Sequence, residues 1–245
     1  MRWSAVVGVV LVAAGMAGCT GGGPGGGGAA PRVSVRASPS GLAAGAGGLA
    51  LSSYRFRVTA NEGSYAGAID PIADVLDASV SVSSGGNSLK IDTVSVRGAV
   101  YTRLTGLPLP GFDGGTWYRV DPARVTRPGA LGLSAIKDPT GVQALVAATH
   151  DVTRGGRKYT GTVDMTRVAA WGPVNVGQVL QLGDAARAVP FEAAVDDRDR
   201  LTALTVNIPG DTVAATYSDF GGPVTVEEPK GAEPLPDHLY GMLGL

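Results

Sequence analysis

The chain has 245 residues, a formal net charge of −1 and one cysteine. A near-neutral chain without a basic stripe excludes nucleic acid as a partner class. A single cysteine excludes both an intrachain disulfide and a cysteine-based zinc site. Residues 51–245 have a length that fits one domain.

Residues 1–18 predict an export signal peptide. Arg2 supplies a positive charge, an apolar run follows over residues 5–14, and small residues come just before Cys19. The apolar run is too short for a membrane-spanning helix, which needs about 20 residues. A cysteine directly after small residues resembles a bacterial lipobox, in which the thiol is acylated with diacylglycerol. Met16 stands where that pattern prefers Leu. The alternative is an ordinary signal peptide whose cysteine is incidental.

Residues 19–50 predict an acylated cysteine followed by a flexible tether rich in Gly, Ala and Pro. Such a segment cannot bury enough apolar surface to become ordered. A flexible glycine-rich chain of this length has an end-to-end distance of about 30 Å. We therefore expect acyl chains on Cys19 to hold the protein on the outer face of the cell membrane, while the folded domain stands off the bilayer.

The folded part, residues 51–229, alternates apolar and polar residues with a period of two, which predicts half-buried β-strands. Turn signals rich in Gly, Asn and Asp separate these short segments, and this spacing favours a meandering antiparallel sheet. The predicted strands begin near Tyr54, Ala78, Leu89, Ala99, Lys158, Val189, Leu201 and Thr212.

Two stretches predict helices, and we expect both to cover the concave face of the sheet in an α+β fold. The first follows Asp138, a good N-terminal capping residue, and the second runs over residues 174–182. The apolar sides of these helices are Val142, Leu145 and Val146 in the first and Val176, Val179 and Leu180 in the second.

The C-terminal tail, residues 230–245, contains Pro234 and Pro236 and shows no alternation that would predict a strand. Chain ends of this kind are often poorly ordered unless they dock. We expect a loose end or a short turn docked on the domain.

Several segments occur in a distinctive order. Gly98–Leu104 is followed by Trp117–Pro122, a helix around residues 141–148, then Tyr159–Asp164 and Tyr217–Val226. This order, together with the lipobox, resembles the actinobacterial envelope lipoproteins of the LppX/LprG type, which share a fold with the carriers LolA and LolB. The resemblance implies a half-open antiparallel barrel with an apolar cavity under its helices. It also implies a role in carrying acylated lipids or lipoglycans outward from the cytoplasmic membrane.

The resemblance implies which side chains line such a cavity and what occupies it. The ligand would be a lipid or glycolipid, with no cofactor and no metal, and an acceptor or transporter protein in the envelope would be a further partner. The expected lining residues are Val80, Val82, Leu89, Ile91, Val142, Leu145, Val146, Val176, Val179 and Leu180.

One segment departs from the family pattern, which has a charged amphipathic helix just before the first strand. The matching residues, 40–49, carry no charge and are rich in Gly. Each Gly costs a helix about 1 kcal/mol relative to Ala. We therefore expect this helix to be frayed or absent.

A filled β core is the alternative to a cavity. An empty apolar void costs about 24 cal/mol per Å³, so a large cavity would need a ligand to fill it. With a filled core, the protein would be a non-catalytic interaction or sensor module of the envelope.

The sequence does not favour an enzyme or a metal site. His150 and His238 are the two histidines, and no Gly-x-Ser-x-Gly nucleophile motif occurs. Asp196, Asp197 and Asp199 alternate with arginines. This pattern is typical of a solvated hairpin turn rather than a calcium site.

Overall fold

The protein is described by a computed structural model, and all of its described residues belong to the compact unit Val33–Leu245. The signal peptide, Cys19 and the first part of the tether lie outside the described residues, so the expectations about them stay predictions. The described residues are 35–36, 39–84, 87–106, 114–125, 138–168 and 176–243.

The described strands form one sheet of 13 strands in the order β1-β8-β9-β10-β11-β12-β2-β3-β4-β5-β6-β7-β13. Neighbouring strands are antiparallel except β13, which runs parallel to β7. The strands are β1 Val35–Arg36, β2 Tyr54–Ala60, β3 Gly63–Asp70, β4 Val75–Ser84, β5 Asn87–Val96, β6 Ala99–Thr105, β7 Tyr118–Val120, β8 Thr149–Gly155, β9 Lys158–Val163, β10 Val189–Val195, β11 Leu201–Ile208, β12 Asp211–Ser218 and β13 Glu233–Pro234.

A few short helices accompany this sheet, so the predicted α+β class with a large curved, open antiparallel sheet is confirmed. The described α-helices are α1 Pro39–Gly47, α2 Val142–Ala147, α3 Val176–Gln181 and α4 Asp237–Leu243. Short 3-10 segments occur at Gly48–Leu51, Pro122–Arg124, Met165–Arg167 and Gly183–Ala188.

Strand β2 shows why one face of the sheet is covered. Tyr54, Phe56 and Val58 are buried, whereas Arg55 and Arg57 between them are exposed. Because side chains alternate along a strand, the aromatic and aliphatic residues all lie on one face. There they join buried side chains of α1, α2, β3, β4 and β8–β12 in a single cluster, which we call the main core. We call the face of the sheet that bears the main core the concave face and the opposite one the convex face.

Helix α1 corrects two predictions, that the flexible tether extends to residue 50 and that the helix over residues 40–49 is frayed or absent. Pro39–Gly47 is helical, and Leu42 is completely buried in the main core. A Cβ on Gly45 would lie 2.8 Å from the backbone oxygen of Asp199. The glycine that weakens the helix therefore also lets it pack closely on the turn after β10. The buried surface gained in this way offsets the poor helix propensity.

Helix α2 begins later than predicted, since its N-cap residue is Gly141 rather than Asp138. Asp138 nevertheless caps the first turn from outside the helix. The two carboxylate oxygens of Asp138 accept hydrogen bonds from the backbone N–H groups of Val142 and Gln143, at 3.0 and 2.9 Å. These bonds satisfy N–H groups of the first turn that have no partner within the helix. The cap fixes the helix over the concave face.

The C-terminal residues dock on the sheet as a strand and a helix, not as a loose end or a short turn. Val226 and Ala232 pack on the convex face against a small cluster of Val94, Val96 and Tyr101. The chain then pairs with β7 as strand β13 and continues into α4. We call residues 226–243 the C-terminal strap, because they pass from one face of the sheet to the other.

Candidate functional site

The register of the strands shows which side chains share the concave face. Tyr65 of β3 lies opposite Val80 of β4, Val80 opposite Ile91 of β5, and Ile91 opposite Leu104 of β6. Directly paired residues of antiparallel strands point to the same side of the sheet. Because Tyr65 belongs to the main core, the whole row lies on the concave face.

Four of the predicted cavity residues are brought together on this face. Val80 pairs with Ile91, and Val82 pairs with Leu89 in the next row. We call these four residues the strand patch. The patch is only partly covered, since Val82 is 36% exposed and the other three are half-buried.

The strand patch lies between two packed clusters. Val80 packs against the main core on one side. Ile91 packs on the other side against a cluster that contains Tyr118 of β7 and Leu239 of α4. The C-terminal strap therefore covers one flank of the patch. The sequence did not predict this contact.

The predicted residues of α2 occupy a different environment. Val142, Leu145 and Val146 are buried in the main core, where they pack among side chains of the sheet and of α1. They belong to the same cluster against which Val80 packs, but they are far more fully covered than the strand patch.

The predicted residues of α3 do not share one side of their helix. Val179 is half-buried and packs against the main core, whereas the side chain of Leu180 is 75% exposed. The side chain of Val176 lies outside the described residues. An open groove of about 570 Å³ adjoins the end of this helix. It is lined by Gln181, Leu182, Asn61, Glu62, Ile208, Pro209, Gly210 and Asp211.

Three tyrosines lie close to the Asp138 carboxyl. Burial is the main cause that raises the pKa of Tyr54 and Tyr65 above the ordinary value, and Asp138 raises both further. Burial also raises the pKa of Asp138 itself. The hydroxyl of Tyr217 lies 3.2 Å from that of Thr140, which connects the sheet to the start of α2. The sequence indicated Asp138 as a cap but gave no signal for this tyrosine group.

The convex face carries a charged network instead. The Asp92 carboxylate lies 2.7 Å from the Lys90 ammonium and 2.9 Å from the Arg103 guanidinium, and it accepts a hydrogen bond from Ser79. Burial by itself would raise the pKa of Asp92, but these hydrogen bonds outweigh burial and lower it. A groove of about 440 Å³ opens nearby, with Arg55, Arg57 and Asp77 among its lining residues.

The predicted solvated turn is present at Asp196. Its carboxylate accepts hydrogen bonds from the backbone N–H groups of Arg198 and Arg200, each at 2.9 Å, and lies 2.7 Å from the Arg200 guanidinium. Within the described ranges, no group of three or more His, Asp or Glu side chains is placed to hold a metal ion. None of the helices in the described part is long and apolar enough to cross a membrane.

No protein-family model and no curated protein matches this chain. Among solved structures, LprF from Mycobacterium bovis matches with a TM-score of 0.53 and 21% sequence identity, over 79% of this chain and 99% of LprF. The chain has the fold of LprF. The lipoprotein LppX from Mycobacterium tuberculosis gives a TM-score of 0.45 and 14% identity, over 78% of this chain and 100% of LppX. The likeness to LprF confirms, for the fold, the resemblance to the LppX/LprG type that the order of segments predicted.

Proposed function

We propose that this protein is a lipid-binding lipoprotein that carries acylated lipids or glycolipids in the cell envelope. The observation that carries the proposal is the strand patch, an uncharged apolar surface on the concave face that the protein's own helices only partly cover. The fold shared with LprF supports the same reading. No catalytic step is part of this function.

The proposed mechanism is extraction of acyl chains from a bilayer onto the concave face. Each methylene that leaves water contributes about 0.8 kcal/mol. Acyl chains would lie along Val80, Val82, Leu89 and Ile91, and the headgroup would stay at the solvent edge. The C-terminal strap, which covers one flank of the patch, would border the bound chains on that side.

The anchor belongs to the same proposal. Two or three acyl chains on Cys19 would hold the protein stably on the outer face of the cell membrane, since one chain alone binds only marginally. The described domain would then work close to its lipid source. An acceptor or transporter protein in the envelope would receive the lipid.

Mass spectrometry of co-purified lipid tests the proposal. The full chain is purified from membranes and extracted with organic solvent, and the wild type is compared with Val82→Asp. A charge on the strand patch should reduce the bound lipid at least several-fold, because a buried carboxylate is strongly disfavoured in an apolar site.

Ser81→Asp is the matched control, because Ser81 is adjacent in β4 and faces the convex side. This variant should keep its lipid. A wild-type protein that carries no lipid and also fails to bind an acyl probe would contradict the carrier function.

One observation favours the alternative, a non-catalytic interaction or sensor module. The main core is packed with the protein's own side chains, and Val142 and Leu145 of α2 are fully buried within it. Such a module would use an outer surface, for which the convex groove lined by Arg55, Arg57 and Asp77 offers a place. The lipid measurement separates the two functions.

A further inference from the structure

Among the described residues, five buried hydroxyl groups have no hydrogen-bond partner: those of Tyr54, Tyr65 and Tyr159 in the main core, and those of Ser95 and Thr102 on the two strands next to it. Ser95 of β5 and Thr102 of β6 are both 0% exposed. Neither hydroxyl has a hydrogen-bond partner among the described residues. A buried polar group that lacks a partner is costly to the folded protein, so each such group asks for an explanation.

The register places both hydroxyls on the concave face. Thr102 pairs with Thr93 of β5, and Thr93 pairs with Ala78, a residue of the main core. Ser95 pairs with Leu76, which also belongs to the main core. Ser95 and Thr102 are therefore diagonal neighbours on adjacent strands, both directed inward.

These hydroxyls continue the strand patch along the same strand. The inward residues of β5 are Leu89 and Ile91 within the patch, followed by Thr93 and Ser95. The pairing of β5 with β4 runs without a bulge, so the change from apolar to hydroxyl side chains occurs on one unbroken surface. An acyl chain lying on the patch would point along β5 towards the hydroxyls, which are completely covered in this structure, so contact with them requires the covering side chains to move.

The strands that carry and flank these hydroxyls present no charged side chain to the concave face. Apart from Asn87 at the start of β5, the inward residues of β2 to β7 in the described part are aliphatic, aromatic, Gly, Ser or Thr, as their registers show. A carboxylate or a phosphate placed here would find no Lys or Arg side chain on these strands to pair with, and burying it would be strongly unfavourable. A neutral hydrogen-bond acceptor fits this surface.

We infer that the hydroxyls of Ser95 and Thr102 donate hydrogen bonds to ester carbonyl oxygens of a lipid whose acyl chains lie on the strand patch. An ester carbonyl accepts hydrogen bonds, carries no charge, and is attached directly to an acyl chain. This inference rests on the proposed lipid-binding function. It makes Ser95 and Thr102 specificity-determining residues that distinguish acyl esters from ethers and from free fatty acids.

A matched pair of neutral probes tests the inference. Diacylglycerol is compared with the dialkylglycerol ether of the same chain length, which lacks both carbonyl groups. Each competes with a fluorescent alkyl probe on the full chain. We expect the wild type to prefer the diester by about tenfold, the amount that two neutral hydrogen bonds supply. The double variant Ser95→Ala/Thr102→Val should lose this preference while binding the ether as well as the wild type does.

The control variant is Ser88→Ala/Thr105→Val, which makes the same chemical changes on the convex face of the same two strands. Ser88 is two residues before Lys90 in β5, so its side chain is on the same, convex face, and Thr105 of β6 pairs with Lys90. This control should keep the preference for the diester. A preference that survives in Ser95→Ala/Thr102→Val, or a wild type that binds the two probes equally, would overturn the inference while leaving lipid binding intact. Failure of the wild type to bind any probe would instead overturn the proposed function, and the inference with it.

Discussion

The hydroxyl of Tyr240 in α4 accepts a hydrogen bond from the backbone N–H of Asp121, just after β7, at 2.8 Å. The Arg124 guanidinium lies over the ring of the same tyrosine, 4.1 Å from its centroid, and pairs with Asp237 at the start of α4. Polar and aromatic contacts thus fix the C-terminal helix to the far end of the sheet. We therefore expect the strap to unfold together with the domain rather than as a loose end.

Leu239→Ala tests the attachment of the strap. Leu239 is completely buried in the cluster with Tyr118 and Val120. Truncation of a buried leucine costs about 2–5 kcal/mol, so the free energy of unfolding in urea should fall by an amount near the lower end of that range. His238→Ala, at the neighbouring exposed position, should change it by less than about 0.5 kcal/mol. Equal stabilities of the two variants would show that the strap is not part of the cooperative unit.

Gly45→Ala tests the packing of α1. In an isolated helix this change is favourable by about 1 kcal/mol. Here a Cβ would lie 2.8 Å from the Asp199 backbone oxygen, which cannot move aside cheaply. We expect a net loss of stability in thermal unfolding. Gly47→Ala, whose Cβ would meet nothing within 4 Å, should be neutral or should stabilise by up to about 1 kcal/mol. A stabilising Gly45→Ala would contradict the close contact.

The pH dependence of Asp92 has a definite sign. Its pKa is lowered in the folded protein by Lys90, Ser79 and Arg103, which together outweigh burial. The carboxylate therefore adds stability that is fully present above the unfolded pKa of about 3.9 and is lost as the pH falls through the folded pKa. The stability difference between wild type and Asp92→Asn should shrink on acidification below about pH 4. A stability difference that does not change on acidification would contradict the lowered pKa of Asp92.

The contribution of Asp138 to the free energy of unfolding should depend on pH in the opposite way. Burial raises its pKa in the folded protein, so its stabilising contribution is largest below the unfolded pKa and falls as the pH rises through the raised folded value. Asp138→Asn keeps an oxygen that can accept from Val142 or Gln143 but no longer titrates. Relative to this variant, the wild type should lose stability as the pH rises above about 4. A difference that grows with pH would show that the cap hydrogen bonds dominate over burial.

The sequence predicted the fold class and most strands because period-two alternation is visible wherever one face is buried. It did not indicate β3 as a strand. The segment Gly63–Asp70 is rich in Gly and Ala and alternates weakly. Its neighbours β2 and β4 pair with it on both sides and hold it in the sheet. Such pairing between distant segments leaves little trace in local composition.

Strand β5 shows a second limit of prediction from the sequence. Leu89 and Ile91 face inward, whereas Val94 and Val96 face outward on the same unbroken strand. The apolar residues thus change face, because the convex side is itself covered there by Val226 and Ala232 of the strap. Sequence reasoning reached the residues of the strand patch through the family resemblance. The buried hydroxyls of Ser95 and Thr102 and the covering strap follow only from the register.

Strand β13 has a consequence for how the molecule behaves among other copies of itself. The outermost strand of an open sheet offers unpaired backbone groups that recruit further strands and lead to aggregation. Here Glu233 and Pro234 pair with β7 and occupy that border. Pro234 has no N–H to donate, so the added strand is a poor template for another chain. This edge of the sheet is thereby protected from pairing with another copy of the protein.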